Sequence, residues 1–461
     1  MNRVTKRTWL MAVFILVLVG GMVFFLGDYW MNAHQWVTAP GSPHLHSGAN
    51  LGVGMVTDRS GKILLDMNDG RSYSDSASTR KSTLHWVGDR EGKISAAAVS
   101  HYAGAMVGYD RINGVYNSTD EGGSSRLTLS ARIQNTAAEA LKGRKGTVAV
   151  YNYKTGEILC AVTSPTYDPD NVPNIDGDES GKWDGVYLNR FIQASYTPGS
   201  IYKVVTTAAA LDCVEGIEEM TFRCEGEITY GTGDHVATVT CESRHGNLDL
   251  RGALANSCNC AFAQIAEQVG RKNMQKYVDA FQIASPVTFD GITTARGNYN
   301  ITGAGAASFA WSCIGQHTDT INPARFMTFM GAIAGGGQAA QPYLVSEVVS
   351  GEEVTYEAKT VKGSRIMNES VAGTLKSYLR NNVKNIYGDG RFPSIGICGK
   401  SGTSQLGGGQ KSNALFAGFA TDERYPLAFV CVVENGGYGA ATCIPILSNV
   451  LWECVAVMDA E

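Results

Sequence analysis

The sequence predicts a mixed α+β protein hung from a single N-terminal transmembrane helix. Three observations lead there. An uncharged apolar run opens the chain, β-rich runs stand at both ends of the larger remainder, and helical stretches lie between them. The 461 residues are 44% apolar and 18% charged, enough for two or three domains with a sizeable core. Glycine is frequent (54) but has no three-residue period, which excludes a collagen-like chain. The net charge of -5 offers no basic excess for a phosphate backbone, so no nucleic-acid partner is expected.

The first eight residues carry Arg3, Lys6 and Arg7 and read as a cytoplasmic tail. Residues 9–27 form the transmembrane helix, close to the ~20 residues needed to cross an apolar layer of ~30 Å. Tyr29, Trp30 and Trp36 follow as interfacial anchors. Charge asymmetry places everything beyond Asp28 outside the cell membrane. A cleaved signal peptide is the competing reading, but its apolar core is shorter, about 7–15 residues. Residues 28–50, with Pro, Gly and His, read as a linker. Residues 51–130 read as a small β-rich membrane-proximal module. It opens on alternating apolar residues around the turn Asp58-Arg59-Ser60-Gly61. Residues 131–461 read as one α+β domain. It starts with a helix over 131–141, followed by a hairpin of hydrophobic strands around 152–156. Another helix opens after Pro198-Gly199. A strand at 425–435 and an amphipathic helix at 444–457 close the chain.

Three short stretches carry chemistry. Ser200-Ile-Tyr-Lys203 puts a hydroxyl in the first turn of a helix, where unpaired N–H groups favour developing negative charge. Lys203 lies three residues on, hence on the same face. Serine is a poor nucleophile near neutrality and needs a base, and a desolvated lysine can supply one. Ser257-Cys258-Asn259 places a hydroxyl and an amide two apart in the turn that ends a helical stretch. Lys400-Ser401-Gly402-Thr403 offers a cation, two hydroxyls and a glycine that lets another backbone lie close. Taken singly these are a solvated helix face, a helix-ending turn and a lysine-blunted strand edge. Their order, separated by 57 and 143 residues, is what makes them informative.

This set resembles the S-x-x-K, S-x-N and K-T-G motifs of penicillin-binding proteins. The chain is similar to the class B, monofunctional members, the peptidoglycan D,D-transpeptidases. Asn189-Arg190, the segments 147–169, 314–316, 321–323 and 414–420, and the stretch 55–64 add to the likeness. The resemblance implies the transpeptidase and serine β-lactamase-like fold, an antiparallel sheet with helices on both faces. It implies acyl transfer from stem peptides ending D-Ala-D-Ala. Ser200 would be the nucleophile and Lys203 its base. Ser257, Asn259 and Lys400 would pass a proton to the leaving D-Ala. Ser401, Gly402 and Thr403 would bind substrate, with the backbone N–H groups of Ser200 and Thr403 as oxyanion hole. β-Lactams would acylate the same serine, and a membrane glycan polymerase would be the partner. Ser401 for the commoner Thr, Leu415 for a Trp, His317 for a Gly and Val53 for an Arg depart from the family pattern.

A D,D-carboxypeptidase or β-lactamase-like hydrolase, which uses water as acceptor, is the first alternative. A non-catalytic penicillin-binding scaffold or sensor is the second. No cofactor and no metal are expected. The 11 cysteines include no C-x-x-C pair, and the eight histidines are scattered, His34, His44 and His46 in the linker. Cys224 and Cys241 resemble a cysteine pair of relatives. They read either as a disulfide, worth ~3 kcal/mol in the chain-entropy model, or as free buried thiols. Cys258 and Cys260 read as packing residues.

Overall fold

The computed structural model describes residues 2–37, 46–47, 50–51, 54–68, 70–107, 112, 122–231, 236–405 and 409–461. Val53, His44 and Gly407-Gly408 lie outside the described residues.

Helix α1 (Asn2–Val37) contains a 29-residue apolar span, Val4–Asn32, none of which is buried against protein. Its length and uncovered apolar surface make α1 a candidate membrane span. The only other described helix long and apolar enough to cross a membrane, at the C-terminus, is a core element: its Cys443, Ile444, Leu447, Val450 and Leu451 are fully buried.

Strands β1 (Met55–Thr57) and β2 (Ile63–Asp66) form the hairpin expected around Asp58–Gly61. Asp58 Oδ1 accepts the N–H groups of Ser60 and Lys62, and Gly61 supplies the positive φ of +86°. Strand β3 (Ser72–Tyr73) extends it. Helix α2 (Ala77–Val87) follows, capped by the Ser76 hydroxyl on Thr79 N. Strand β4 (Ser124–Leu127) runs parallel to β1. Helix α3 (Ala131–Leu141), capped by Ser130, leads into the antiparallel pair β5 (Gly146–Asn152) and β6 (Ile158–Ser164).

A 3₁₀ turn (Gly199–Tyr202) runs directly into α4 (Lys203–Cys213), and Asn259–Ala280 forms α5. Helices α6 (Ala306–Ile314) and α7 (Pro323–Ala334) come next. Strands β7 (Val345–Ser350) and β8 (Glu353–Glu357) then return to the first sheet, whose order is β8-β7-β4-β1-β2-β3. That sheet therefore draws strands from both sides of residue 131. Helix α8 (Glu369–Asn382) precedes β9 (Ile397–Ser404), β10 (Asn413–Ala420) and β11 (Leu427–Val433). Helix α9 (Gly439–Met458) ends the chain.

The second sheet has the order β9-β10-β11-β5-β6, antiparallel throughout, so its two halves come from opposite ends of the domain. Nearly every residue of these strands is buried, because both faces are covered. The period-two alternation divides them: Val148 and Val150 pack toward α3 and α9, Ala149 and Tyr151 toward α7 and the other helices. β9 stays at the edge. The 3₁₀ turn presses against it so closely that a Cβ on Gly402 would lie 2.7 Å from Pro198 O.

Candidate active site

The edge of β9 and the start of α4 face each other across a cleft of about 350 Å³, and the three motifs meet there. A larger cavity of about 890 Å³, between α3 and the loops at 143–145 and 164–166, contains no motif residue.

The serine is placed by backbone contacts on both sides. Gly199 has φ +56°, donates its N–H to Gly315 O at 2.8 Å, and has no room for a side chain, since a Cβ would meet Thr403 O at 2.5 Å. Tyr196 exchanges backbone hydrogen bonds of 2.9 and 2.8 Å with Ile321. Asn322, fully buried, caps α7 and donates to Ala194 O at 2.8 Å. Ser200 therefore starts its helix on a rigid support, with its N–H free of any intrahelical acceptor.

Lys203 is fully buried. Its Nζ lies 3.1 Å from Ser200 Oγ, 2.5 Å from Ser257 O, 3.2 Å from Ser257 Oγ and 2.7 Å from Asn259 Oδ1. The Asn259 amide is oriented by donation from Nδ2 to Thr240 O at 2.8 Å. The carbonyl of Ser257 and Oδ1 of Asn259 can only accept, so they take two hydrogens of Nζ. What remains of Nζ faces two hydroxyls. A neutral amine fits this set: two donations to obligate acceptors, and a lone pair toward an O–H.

Lys400 Nζ lies 3.1 Å from Ser257 Oγ and 2.9 Å from Ser401 O. Ser257 Oγ thus stands between two amines. Its backbone is left-handed (φ +54°), a conformation costly for serine and held here by the surrounding contacts. Desolvation, with the nearby Lys400 charge second, pulls Lys203 down to about 7. Desolvation also lowers Lys400 to about 7, against the opposing pull of Glu242.

Strand β9 presents its unpaired edge to the serine. Ser401 N–H is satisfied by Tyr387 OH at 3.0 Å rather than by β10. Thr403, two residues on, points its N–H and C=O the same way, and its C=O accepts from Gln316 Nε2 at 3.2 Å. Its hydroxyl accepts from Gly439 N at 3.2 Å. Gly402 faces the 3₁₀ turn, which explains the need for glycine there.

All the motif residues expected from the sequence are therefore gathered at one place. Sequence reasoning marked the segments of Gln316 and Asn322 only as part of the family likeness, with no role for either residue, and missed Tyr387 and Gly439. Tyr387 and Gly439 sit in segments that look like ordinary helix ends, and only their contacts across the fold mark them.

Of the two readings left open for Cys224 and Cys241, the structure has the free thiols. All 11 are free thiols, so Cys224 and Cys241 form no disulfide. Each sulfur instead stands 3.5 Å from Nδ1 of His245, which lies between the two. Cys258 is more than packing: its sulfur accepts the Ala261 N–H at 3.3 Å and lies 3.8 Å from that of Cys241.

A family model described as penicillin binding protein transpeptidase domain matches residues 146–451. The chain is 27% identical over 358 residues to the peptidoglycan D,D-transpeptidase PbpA of Mycolicibacterium smegmatis, covering 70% of this chain and 71% of that one. It is 26% identical to the peptidoglycan D,D-transpeptidase MrdA of Salmonella typhimurium over 369 residues, 72% of this chain and 58% of that one. Penicillin-binding protein A from M. tuberculosis, solved as an imipenem acyl-enzyme complex, superposes with a TM-score of 0.75 at 25% identity, covering 87% and 98% of the two chains. The D,D-transpeptidase domain of a peptidoglycan glycosyltransferase from Eggerthella lenta gives 0.74 at 25% identity, with coverage of 89% and 99%.

Proposed function

The chain belongs to the penicillin-binding-protein transpeptidase family, and from that premise we propose that it is a membrane-anchored D,D-transpeptidase working through an acyl-Ser200 intermediate. The observation that carries this reading is one amine, Lys203 Nζ, in contact with Ser200 Oγ and with both polar side chains of the second motif. Ser200 Oγ attacks the carbonyl carbon of the penultimate D-Ala, and its proton passes to neutral Lys203. The oxyanion is met by the N–H groups of Ser200 and Thr403, each such donor worth ~2.7–4 kcal/mol in the transition state. As the C–N bond breaks, Ser257 Oγ hands a proton to the leaving amine and is resupplied by Lys203 or Lys400. Asn259 holds Lys203 in place. Ser401 and Thr403 bind the terminal carboxylate beside Lys400. The amine of a second stem peptide then attacks the acyl group, forms the cross-link and releases Ser200.

The charge asymmetry around α1 supports a cytoplasmic tail of about eight residues, with the catalytic domain (131–461) outside the membrane. The module at 51–130, close to the anchor, is the surface offered to a membrane glycan polymerase.

The full chain in detergent, incubated with a fluorescent penicillin and digested, should yield one modified peptide, and it should contain Ser200. With a D-Ala-D-Ala donor and an amino-acid acceptor, aminolysis should exceed hydrolysis. A label on another residue overturns the nucleophile, and hydrolysis alone overturns the transpeptidase reading in favour of a carboxypeptidase.

Two further results are expected. Acylation needs neutral Lys203, so its rate should fall about tenfold per pH unit below a midpoint near 7. A rate flat between pH 5 and 7, in stopped-flow labelling, excludes a base titrating there. Gly199→Ala should slow acylation about a hundredfold, because a methyl group meeting Thr403 O shifts the serine against β9. Equal labelling rates for variant and parent would show that the approach is not critical.

A further inference from the structure

Among the described residues, one group of soft ligand atoms converges outside the acyl-transfer machinery: the sulfurs of Cys224, Cys241 and Cys258 with Nδ1 of His245, all within 4.8 Å of one another. We propose that these four residues bind a zinc ion, and that the ion clamps the second motif in its reactive shape.

The spacing suits a tetrahedral ion. Sulfurs held about 2.3 Å from zinc stand about 3.8 Å apart, and a sulfur and an imidazole nitrogen about 3.5 Å apart. The Cys241–Cys258 sulfur separation is 3.8 Å, and Nδ1 of His245 lies 3.5 Å from the sulfurs of both Cys224 and Cys241. Nε2 of His245 lies 3.1 Å from Ser243 Oγ, the outer hydrogen bond that fixes a ligating imidazole. Cys224 and Cys258 are fully buried, whereas Cys241 and His245 line the cleft and leave a path of entry. Three thiolates and one imidazole are a donor set for zinc rather than for calcium or magnesium. On binding, the three thiol protons leave to solvent.

The ligands come from three places. Cys224 ends the short strand Phe222–Cys224, which pairs with Gly246–Leu248. Cys241 and His245 bracket the turn after strand Ala237–Thr240. Cys258 stands between Ser257 and Asn259. The left-handed turn at Ser257 and the donation from Asn259 to Thr240 O both join pieces that the ion ties together. A clamp here holds the hydroxyl and the amide that contact Lys203.

The test uses the full chain, purified in detergent with zinc present and then freed of excess metal. Elemental analysis should find about one zinc per chain, and cobalt(II) exchanged for it should give thiolate charge-transfer absorption. Cys258→Ser and His245→Ala should lose the metal, whereas Cys454→Ser, in the core beside α3, should keep it. Metal removal from the parent by a strong chelator should slow penicillin labelling ten- to hundredfold, and added zinc should restore it. Absence of metal, or a disulfide joining any two of Cys224, Cys241 and Cys258, overturns the site. Metal retained in both ligand variants overturns the ligand assignment. Metal lost without change in labelling overturns the clamp. Metal content and spectrum do not depend on the transpeptidase reading. Only the labelling arm rests on it, and labelling of the zinc-loaded parent checks that separately.

Discussion

Ser200→Ala abolishes covalent labelling by penicillins and cross-linking of stem peptides while leaving the protein folded. The expected fall in acylation is about a millionfold, the scale seen when a catalytic serine is removed from a machinery that acts as a unit. Among the described residues, none of the other motif hydroxyls is placed to replace it. Ser257 Oγ lies between two amines, but its backbone is held left-handed and it precedes the N-cap of α5 rather than lying in that helix's first turn. Ser401 Oγ is engaged with Tyr387 OH at 3.0 Å. Thr403 Oγ1 accepts from Gly439 N. The cost to stability is small, because Ser200 is only partly buried and its hydroxyl contacts Lys203 alone. Such a substitution falls within about 1 kcal/mol. The measurement is fluorescent-penicillin labelling over hours, with thermal unfolding in parallel. A variant that unfolds at the parent temperature yet still forms a stable adduct would place the nucleophile elsewhere.

How much of this could be read beforehand follows from where the determinants lie. The anchor, the hairpin at Asp58–Gly61, the strands β5, β6 and β11 and the helices α3 and α9 announce themselves through local pattern. Helices α3 and α9 each bury a face that their periodicity marks, the strands read as β-rich apolar runs, and the anchor as a long uncharged apolar run. The motifs were legible for a related reason: a nucleophile, an amide and a cation need fixed residue types, so identity survives where geometry is hidden. Helix α2 was not legible. Its last six residues, Ser82 to Val87, are all buried, so no polar face alternates with an apolar one, and Ser and Thr dilute the signal. The joining of β7 and β8 to the membrane-proximal sheet could not be read either, since long-range pairing leaves no local trace. Tyr387 reaches Ser401 from the turn Val383–Gly388, about 14 residues away in sequence, by a path that only the fold defines. The thiol and imidazole group escaped for the same reason. Its members lie 21, 4 and 17 residues apart in their contacting pairs, with no C-x-x-C to flag them.

Lys203→Met separates the base from its neighbours. Methionine follows the lysine stem and fills the buried volume, so packing is kept. What disappears is the amine that lies 3.1 Å from Ser200 Oγ, placed to take its proton; Lys400 contacts Ser257 Oγ and Ser401 O instead. Loss of a positioned general base costs about 10²–10⁴-fold. Here the upper end is expected, because Ser257 O and Asn259 Oδ1 also lose their donor and the second motif loosens. Stability responds to two opposed changes. A desolvated amine, disfavoured as a cation at neutral pH, is removed, and two buried acceptors are left unpaired. The unfolding temperature therefore moves little while labelling collapses. The pH profile decides the role. In the parent the rate rises through about pH 7 as Lys203 gives up its proton. In Lys203→Met that limb should vanish and leave a slow, flat rate. If it survives with its midpoint intact, and disappears instead in Lys400→Met, then Lys400 is the base and the proton leaves Ser200 by way of Ser257.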